Sequence, residues 1–192
     1  MALPTTNLKA LRDYSEHDVL NFFTLAQNSG DAGNLVSLQG SGLILTANQE
    51  STALTSQAGV YSHRKANPNK VTLATANQDK TQIIGILLKN VRETDYLGRN
   101  LIYDLTRQVE ANSVPSGYTV PILTRGLIWV SGVSGTPAIY SGARAHPAGN
   151  GDWQVTYSGY SVSGSYINNN VGRFLGATDG NGYAPFMLDC RP

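Results

Sequence analysis

Short apolar runs of roughly five residues alternate along the chain with groups of glycine, asparagine, aspartate, serine and proline. Runs of this length bounded by turn residues are typical of β-strands, and few segments favour a helix. Many short strands at close spacing indicate a barrel or a sandwich. The pattern therefore predicts an all-β fold: a small antiparallel β-barrel or sandwich core with an extended N-terminal arm.

The strongest apolar run is IIGILL at residues 83–88. It has no polar face, because apolar side chains fall on both sides of the extended chain. We therefore expect both faces of this strand to be buried. Gly85 interrupts the run, and a glycine inside a strand marks a β-bulge or a close approach of another backbone.

The N-terminal part has a weaker pattern. Residues 1 to about 15 discourage a helix and are expected to be extended. In SEHDVLNFFTLA, Ser15 and Asp18 fit a helix-capping box, but the apolar part that follows is rich in β-forming residues and too short to show a helical period. The turn NSGDAGN then leads to LVSLQGSG, and we expect the two apolar runs around this turn to form a hairpin.

These features place a boundary near residue 70. We expect residues 1–69 to form an N-terminal arm and extension that contains the hairpin. We expect residues 70–192 to form a compact β-barrel-like core, since the apolar runs are strongest there.

The last strands of the core have turn and edge signals. The segment VGRFLGATDGNGYAPFMLDC contains two apolar runs around Asp-Gly-Asn-Gly, whose glycines supply the positive φ that a tight hairpin needs. Proline cannot donate to a β-ladder. Pro121 therefore predicts an edge strand or a strand start, and Pro185 predicts an edge strand or a bulge.

Composition and charge argue against several functional classes. Only 14% of the 192 residues are charged and the formal net charge is +1, so we expect no long-range attraction to nucleic acid or to an anionic membrane. The single cysteine, Cys190, excludes an intrachain disulfide and is expected to be a small buried hydrophobe. Neither a signal peptide nor an apolar run approaching about 20 residues is visible, which predicts folding in a reducing cytoplasm.

The histidines are far apart in the sequence and do not form a metal-binding pattern. One dense polar cluster, made by Asp13, Glu16, His17 and Asp18, has the residue types that ligate a cation. Capping by Ser15 explains the same cluster without a metal, and we favour that interpretation.

Other catalytic patterns are equally weak. Glu93 and Asp95 would share one face of a strand, but a glycosidase needs two carboxylates that converge on a cleft. Arg92 and Arg99 nearby offer ordinary surface ion pairs. The sequence has neither a Gly-x-Ser-x-Gly nucleophile elbow nor a phosphate-binding glycine loop. We therefore expect no enzymatic activity, no metal and no cofactor.

Aromatic residues are concentrated in WQVTYSGYSVSGSY, where they alternate with serine and glycine. Tyrosine and tryptophan often anchor interfaces, because each has an apolar body and a polar tip. Trp153, Tyr157 and Tyr160 are therefore candidate contacts to a protein partner or a sugar. An ordinary amphipathic strand would show the same pattern.

Several segments, taken in order, resemble auxiliary capsid proteins of tailed bacteriophages, which are the decoration or cement proteins of the head. These segments are IIGILLKNVRETDYLGRNLIYD, VPILTRGLIWVSG and VGRFLGATDGNGYAPFMLDC. The segment EHDVLNFF…GDAGNLV resembles the N-terminal part of such proteins in marine phages. The resemblance spans most of residues 15–190, leaves residues 43–70 unmatched, and brings no catalytic residues with it.

The resemblance implies a virion structural protein that is made in the host cytoplasm. It would bind the exterior of the assembled capsid as a dimer or trimer, and would cement neighbouring major capsid subunits. A flexible N-terminal arm suits such docking, because it orders on a neighbour when it binds. The candidate contacts in the arm are Leu3, Leu8, Leu11 and Tyr14.

Two other functions are weighed against this one. A phage fibre or knob-type adhesion module that binds a host receptor or glycan would use the aromatic segment that begins at Trp153. A small hydrolase would use Asp13, Glu16 and His17 and would hold a metal.

Overall fold

The computed structural model describes residues 8–10, 15–27, 29–38, 70–74, 82–145, 151–156 and 170–190. Within these residues the chain forms a closed barrel, a six-stranded sheet, a two-stranded ladder and one short α-helix, which confirms the predicted all-β fold. No helix in this part of the chain is long and apolar enough to cross a membrane.

The strands are β1 (Leu8–Ala10), β2 (Val19–Leu25), β3 (Leu35–Leu38), β4 (Lys70–Leu73), β5 (Ile83–Leu87), β6 (Asn90–Val91), β7 (Ser113–Val114), β8 (Thr119–Leu123), β9 (Arg125–Val130), β10 (Gly142–Ala145), β11 (Trp153–Thr156), β12 (Gly172–Phe174) and β13 (Ala184–Asp189). The helix is α1 (Leu105–Glu110), and 3-10 turns occur at Glu16–Asp18 and Leu101–Tyr103.

The barrel contains five strands in the order β2, β4, β3, β5, β8, and β8 pairs with β2 to close it. β2 and β4 are parallel, and the other neighbours are antiparallel. Closure leaves these strands without free edges, which limits unwanted pairing with other chains. One cluster of buried apolar residues comes from these strands and from β6: Phe23, Leu25, Val36, Val71, Leu87, Val91, Val120 and Ile122.

β5 agrees with the expectations from its sequence. Ile86 belongs to one buried apolar cluster and Leu87 to the other, and both side chains are fully buried, so the strand is buried on both sides. In the pairing of β5 with β3, Ile84 has no partner residue, because the register shifts there. This irregularity is a β-bulge. A Cβ atom on Gly85 would collide with the backbone carbonyl of Leu123. Both the bulge and the close approach are therefore present.

The six-stranded sheet has the order β1, β9, β13, β12, β10, β11, and every neighbouring pair is antiparallel. Its inner side carries the second and larger buried cluster. At the centre of that cluster, the ring of Phe186 lies 4.9 Å from the rings of both Phe174 and Trp153, in edge-to-face geometry. Aromatic pairs favour this arrangement, and it fixes the sheet's core.

Thr124 alone separates β8 of the barrel from β9 of the sheet. Its backbone N and its Oγ1 both donate to the carbonyl oxygen of Asp18, at 2.8 and 3.0 Å, and its own carbonyl oxygen accepts from Cys190 N at 2.9 Å. The larger cluster contains barrel residues such as Leu35 as well as sheet residues such as Ile128. The barrel and the sheet therefore share one core.

The predicted hairpin between β2 and β3 is wrong. β4 lies between them, and Val71 of β4 pairs with Leu25 of β2 on one side and with Leu38 of β3 on the other. The strand that fills this position comes from beyond residue 69, so local turn signals could not reveal it. β2 and β3 are thus strands of the closed barrel, and β1 pairs with β9 in the sheet.

The two prolines do not mark edge strands. Pro121 lies in the closed barrel, where the β2–β8 pairing shifts register between Leu20 and Phe23, so a bulge faces the proline instead of a hydrogen-bonding partner. Pro185 lies in β13 between β9 and β12. Its carbonyl oxygen accepts from Leu175 N at 2.9 Å, just beyond the end of β12.

The closing hairpin is confirmed, because β12 and β13 are antiparallel. Its connection is longer than a tight turn and is organised by a side chain. Asp179 Oδ1 accepts hydrogen bonds from Asn181 N at 2.9 Å and from Tyr183 N at 2.8 Å. Gly182 has a φ of 82°, which a residue with a Cβ rarely adopts.

Candidate functional site

Residues 92–112 form a lobe between β6 and β7, the two strands of the small parallel ladder. These two strands pair in parallel at its base. Arg92 N donates to Val114 O at 3.1 Å, and Asn90 N donates to Asn112 O at 3.0 Å. The two ends of the lobe are therefore held together, and the lobe projects from a fixed base.

Asp95 organises the first turn of the lobe. Its Oδ1 accepts from the backbone N–H groups of Leu97 and Arg99, both at 2.8 Å. Its Oδ2 lies 3.7 Å from Arg107 Nη1, and only 6% of the side chain is exposed. The hydrogen bond from Arg99 is the main cause that lowers the pKa of this carboxyl, with smaller contributions from Leu97 and Arg107. Asp95 thus acts as a charged acceptor within the lobe.

Capping, rather than burial, holds the helix α1. None of its residues is buried. The N-cap Asp104 accepts from Arg107 N at 3.2 Å through Oδ1, and its Oδ2 lies 2.9 Å from Arg107 Nε. Gln108 Nε2 donates to the carbonyl oxygen of Leu101 at 2.7 Å, and the Leu101 side chain is fully buried. The helix is therefore fixed to the 3-10 turn that precedes it.

Four large apolar side chains project from this polar scaffold, and we call them the lobe tip. They are Tyr96, Leu97, Leu105 and Val109, which are 63%, 50%, 77% and 74% exposed. Leu105 and Val109 are four residues apart in α1 and so lie on one helix face. Single exposed apolar residues are ordinary, but several large ones within one 21-residue lobe indicate an interaction surface.

A second exposed apolar pair, Ile139 and Tyr140, lies in the turn between β9 and β10. Tyr140 has a φ of 69°, a left-handed conformation that is unusual for a residue with a Cβ. Tyr140 N donates to Phe174 O at 3.0 Å, and Ser141 Oγ donates to Ala138 O at 2.7 Å. These bonds hold the turn in a conformation that presents both apolar side chains outward.

A groove of about 360 Å³ lies beside the base of the lobe. Its lining residues are Ser29, Asn90, Arg92, Glu93, Thr94, Asp95, Tyr96, Ala111 and Ser113. It contains Glu93 and Asp95, the carboxylate pair noted in the sequence, but Asp95 is bound by N–H groups of its own loop. Arg92 Nη2 lies 2.6 Å from Asp31 Oδ1. Arg92 and Asp95, two of the charged residues that line the groove, are thus already bound to other groups of the chain.

The predicted contact residues fall into two groups. Trp153 is a core residue that is 3% exposed, and its Nε1 donates to Gly33 O at 2.6 Å. Leu8 is 9% exposed and packs in the larger core cluster. Both side chains are therefore used inside the chain in this structure. The other predicted contacts lie outside the described residues: Leu3, Leu11, Tyr14, Tyr157 and Tyr160.

The predicted polar cluster is a capped turn. Asp18 N donates to Ser15 O at 2.9 Å in a 3-10 turn, and His17 N lies 3.4 Å from Ser15 Oγ. Asp13 and the side chain of Glu16 lie outside what the structure describes. Among the described residues, histidine, cysteine, aspartate and glutamate side chains form no group of three or more that would hold a metal ion.

The lobe tip was missed by reasoning from the sequence, although a signal was present. Asp104 directly before Leu105 is a typical N-cap, and Leu105 and Val109 have helical spacing. The helix spans only six residues, which is too short for periodicity to stand out.

Comparison with protein families gives one match that spans most of the chain. Residues 20–188 match the family model described as structural cement protein (E217 gp24/Pam3 gp6). Among curated proteins, none matches the chain. The matched range includes most of β2, all of β3 to β12 and most of β13, and it confirms the resemblance seen in the sequence segments. The chain therefore belongs to the phage structural cement protein family.

Proposed function

We propose that this protein stabilises a phage head by binding assembled capsid subunits on the outer surface of the shell. The observation that carries the proposal is the family match over residues 20–188. A structural cement family indicates a capsid-stabilising role in the virion, and such a role requires no chemical reaction. The weak catalytic patterns in the sequence agree with this function.

The adhesion alternative has no support from the described residues. That alternative was suggested by the aromatic segment that begins at Trp153. The Trp153 side chain is buried, and its N–H group donates to the carbonyl oxygen of Gly33. Nothing in the family match points to a receptor or glycan. The family match and the buried Trp153 therefore favour capsid stabilisation over adhesion.

The mechanism is preferential binding. A protein that binds the assembled shell, but not dissociated subunits, stabilises the assembly by mass action. Each copy needs to contribute only a few kcal/mol, because many copies act on one particle. Internal pressure from packaged DNA then has to break these contacts as well as those between the capsid subunits.

The lobe tip is the surface that we propose for one contact with a capsid subunit. Burial of an exposed leucine or valine side chain contributes roughly 1.5–3 kcal/mol. Asp95 and Asp104 hold the lobe in place before docking, so less conformational entropy is lost on binding. A rigid apolar tip is therefore suited to reversible and specific docking.

Other parts of the proposal concern the assembly. We propose that the protein acts as a dimer or trimer at the capsid exterior, without direct contact to nucleic acid. Leu3, Leu11 and Tyr14, which lie outside the described residues, would add contacts from the N-terminal arm. Leu8 contributes to the core instead, so deletion of β1 would remove an edge strand as well as an arm.

A binding experiment tests the proposal. Purified protein is added to mature shells that lack it, to immature shells and to dissociated capsid subunits, and co-sedimentation measures occupancy. We expect saturable binding to mature shells and weak binding to free subunits, because stabilisation requires preference for the assembled state. Equal binding to free subunits, or none to mature shells, would contradict it.

A further inference from the structure

The six-stranded sheet has one side in the core and one side facing outward. In β13 the burial alternates strictly, with Ala184, Phe186 and Leu188 buried and the residues between them partly exposed. The last residues of β9 follow the same alternation, with Ile128 and Val130 buried. Antiparallel pairing keeps laterally opposed side chains on one side of a sheet. We call this outward side the sheet face.

The centre of the sheet face is apolar. Trp129 pairs with Pro185, and Leu127 pairs with Met187, so the four side chains occupy adjacent positions on two central strands. Each of them is partly exposed. Tryptophan and methionine are enriched at the centres of protein interfaces. This group is therefore a contiguous apolar area rather than scattered surface residues.

The rim of the sheet face is basic. Lys9 lies opposite Trp129, and Arg173 lies opposite Met187, so cations flank the apolar centre on both sides. Arg125 is the first residue of β9 and lies two residues before Leu127.

Arg144 extends the basic rim on β10, where its Nε donates to Gln154 Oε1 at 3.0 Å. The one acidic residue at these outward positions of the described strands is Asp189, which pairs with Arg125. These outward positions thus carry four cations and one carboxylate, so the face is basic although the whole chain has a net charge of only +1.

The basic rim of the sheet face determines which partners can bind there favourably. In a two-fold dimer formed through this face, basic rim would meet basic rim, because the same patch is used twice. Like charges across an interface are costly, whereas a partner with an acidic rim would be steered toward the face and held in register. An acidic, apolar-centred partner therefore fits the face better than a second copy does.

The sheet face is also distinct from the lobe tip. The lobe lies between β6 and β7 of the two-stranded ladder, whereas the face belongs to β1, β9, β10, β12 and β13 of the six-stranded sheet. One molecule therefore offers two separate surfaces: the apolar lobe tip, and the sheet face with its apolar centre and basic rim.

We infer that the sheet face docks on an acidic-rimmed apolar area of a major capsid subunit, separate from the contact made by the lobe tip. The inference rests on the proposed capsid-binding function. Two contacts of different chemistry would let one copy bridge two subunits. The contact at the sheet face weakens with salt because its rim is ionic, whereas the contact at the lobe tip depends little on salt.

Charge reversal with a matched control tests the inference. Arg173→Glu and Lys89→Glu make the same change in net charge, but Lys89 lies outside both surfaces, between β5 and β6. Binding to mature shells that lack the protein is measured from about 50 to about 500 mM salt. We expect Arg173→Glu to bind about fivefold more weakly at low salt, Arg125→Glu/Arg173→Glu more than about tenfold, and Lys89→Glu like the wild type. The differences should shrink at high salt.

The outcomes separate the two proposals. If the wild type binds shells and the double variant binds equally well at low salt, the inference about the sheet face is overturned while capsid binding stands. If the wild type does not bind mature shells at all, both are overturned. Thermal unfolding confirms that each variant is folded, and the single variant Arg173→Glu decides the result if the double variant does not fold, because Arg173 is exposed.

Discussion

The indole Nε1 of Trp153 donates a 2.6 Å hydrogen bond to the carbonyl oxygen of Gly33. Trp153 begins β11 of the six-stranded sheet, and Gly33 lies just before β3 of the barrel, so this bond joins the two parts of the core. Trp153→Phe keeps a ring beside Phe186 but removes the donor. We expect the free energy of unfolding to fall by about 2 kcal/mol, because a buried carbonyl loses this partner. Urea denaturation measures the loss.

Trp129→Phe is the control for this prediction. Trp129 lies on the outward side of the sheet and is only partly buried. We expect its replacement to change the free energy of unfolding by no more than about 0.5 kcal/mol. A loss of no more than about 0.5 kcal/mol in Trp153→Phe as well would contradict the contribution assigned to the bond with Gly33.

Gly85→Ala should destabilise the barrel strongly. A Cβ at this position would collide with the backbone carbonyl of Leu123, and a backbone group cannot move away as a flexible side chain can. We expect a loss of about 3 kcal/mol or more in thermal or urea unfolding. Gly180→Ala is the control, since a Cβ there meets no atom within 4 Å, and it should unfold like the wild type. A well-folded Gly85→Ala variant of unchanged stability would refute the proposed close approach.

Acid should weaken the fold through Asp95 and Asp179. The pKa of each carboxyl is lowered, mainly by the backbone N–H of Arg99 at Asp95 and that of Tyr183 at Asp179. The unfolded chain therefore binds protons first as the pH falls. The stabilisation is complete above the ordinary value of 3.8 and is lost as the pH drops through the lower folded-state values.

Urea unfolding at a series of pH values checks this linkage. The free energy of unfolding should decrease from about pH 5 to about pH 2, and Asp95→Asn/Asp179→Asn should make the decrease shallower. Parallel curves for the wild type and the double variant would mean that these two carboxyls do not contribute to the acid sensitivity.

Leu105→Gln/Val109→Gln should separate binding from folding. Both side chains are exposed, and glutamine is a good helix former, so we expect unchanged thermal unfolding. Affinity for mature shells should fall at least about tenfold, which corresponds to about 1.4 kcal/mol. Thr106→Gln, also exposed on α1, should bind normally. Retained affinity in the double variant would remove the lobe tip from the contact.

The sequence revealed features that depend on a single strand. Residues 83–88 indicated a strand buried on both sides, and Gly85 indicated a bulge and a close approach, because both signals are local. The closing hairpin was predictable for the same reason, although Asp179 gives it a longer connection than a glycine turn would require.

Features that depend on distant pairing were not predictable. The position between β2 and β3 is filled by β4, which comes from much later in the chain. Pro121 indicated an edge, but a register shift in the facing strand accommodates the proline inside a closed barrel. Trp153 resembled a surface anchor, yet its partner Gly33 is 120 residues away in the sequence. The residues that surround such a side chain, rather than its type, decide whether it faces a partner.

A cementing function is measured most simply by the thermal stability of the phage head itself. DNA-filled heads that lack this protein are heated with and without a saturating amount of it, and release of DNA to a fluorescent dye reports rupture. Bound protein should raise the rupture temperature, in proportion to occupancy. Full occupancy with an unchanged rupture temperature would contradict a cementing function.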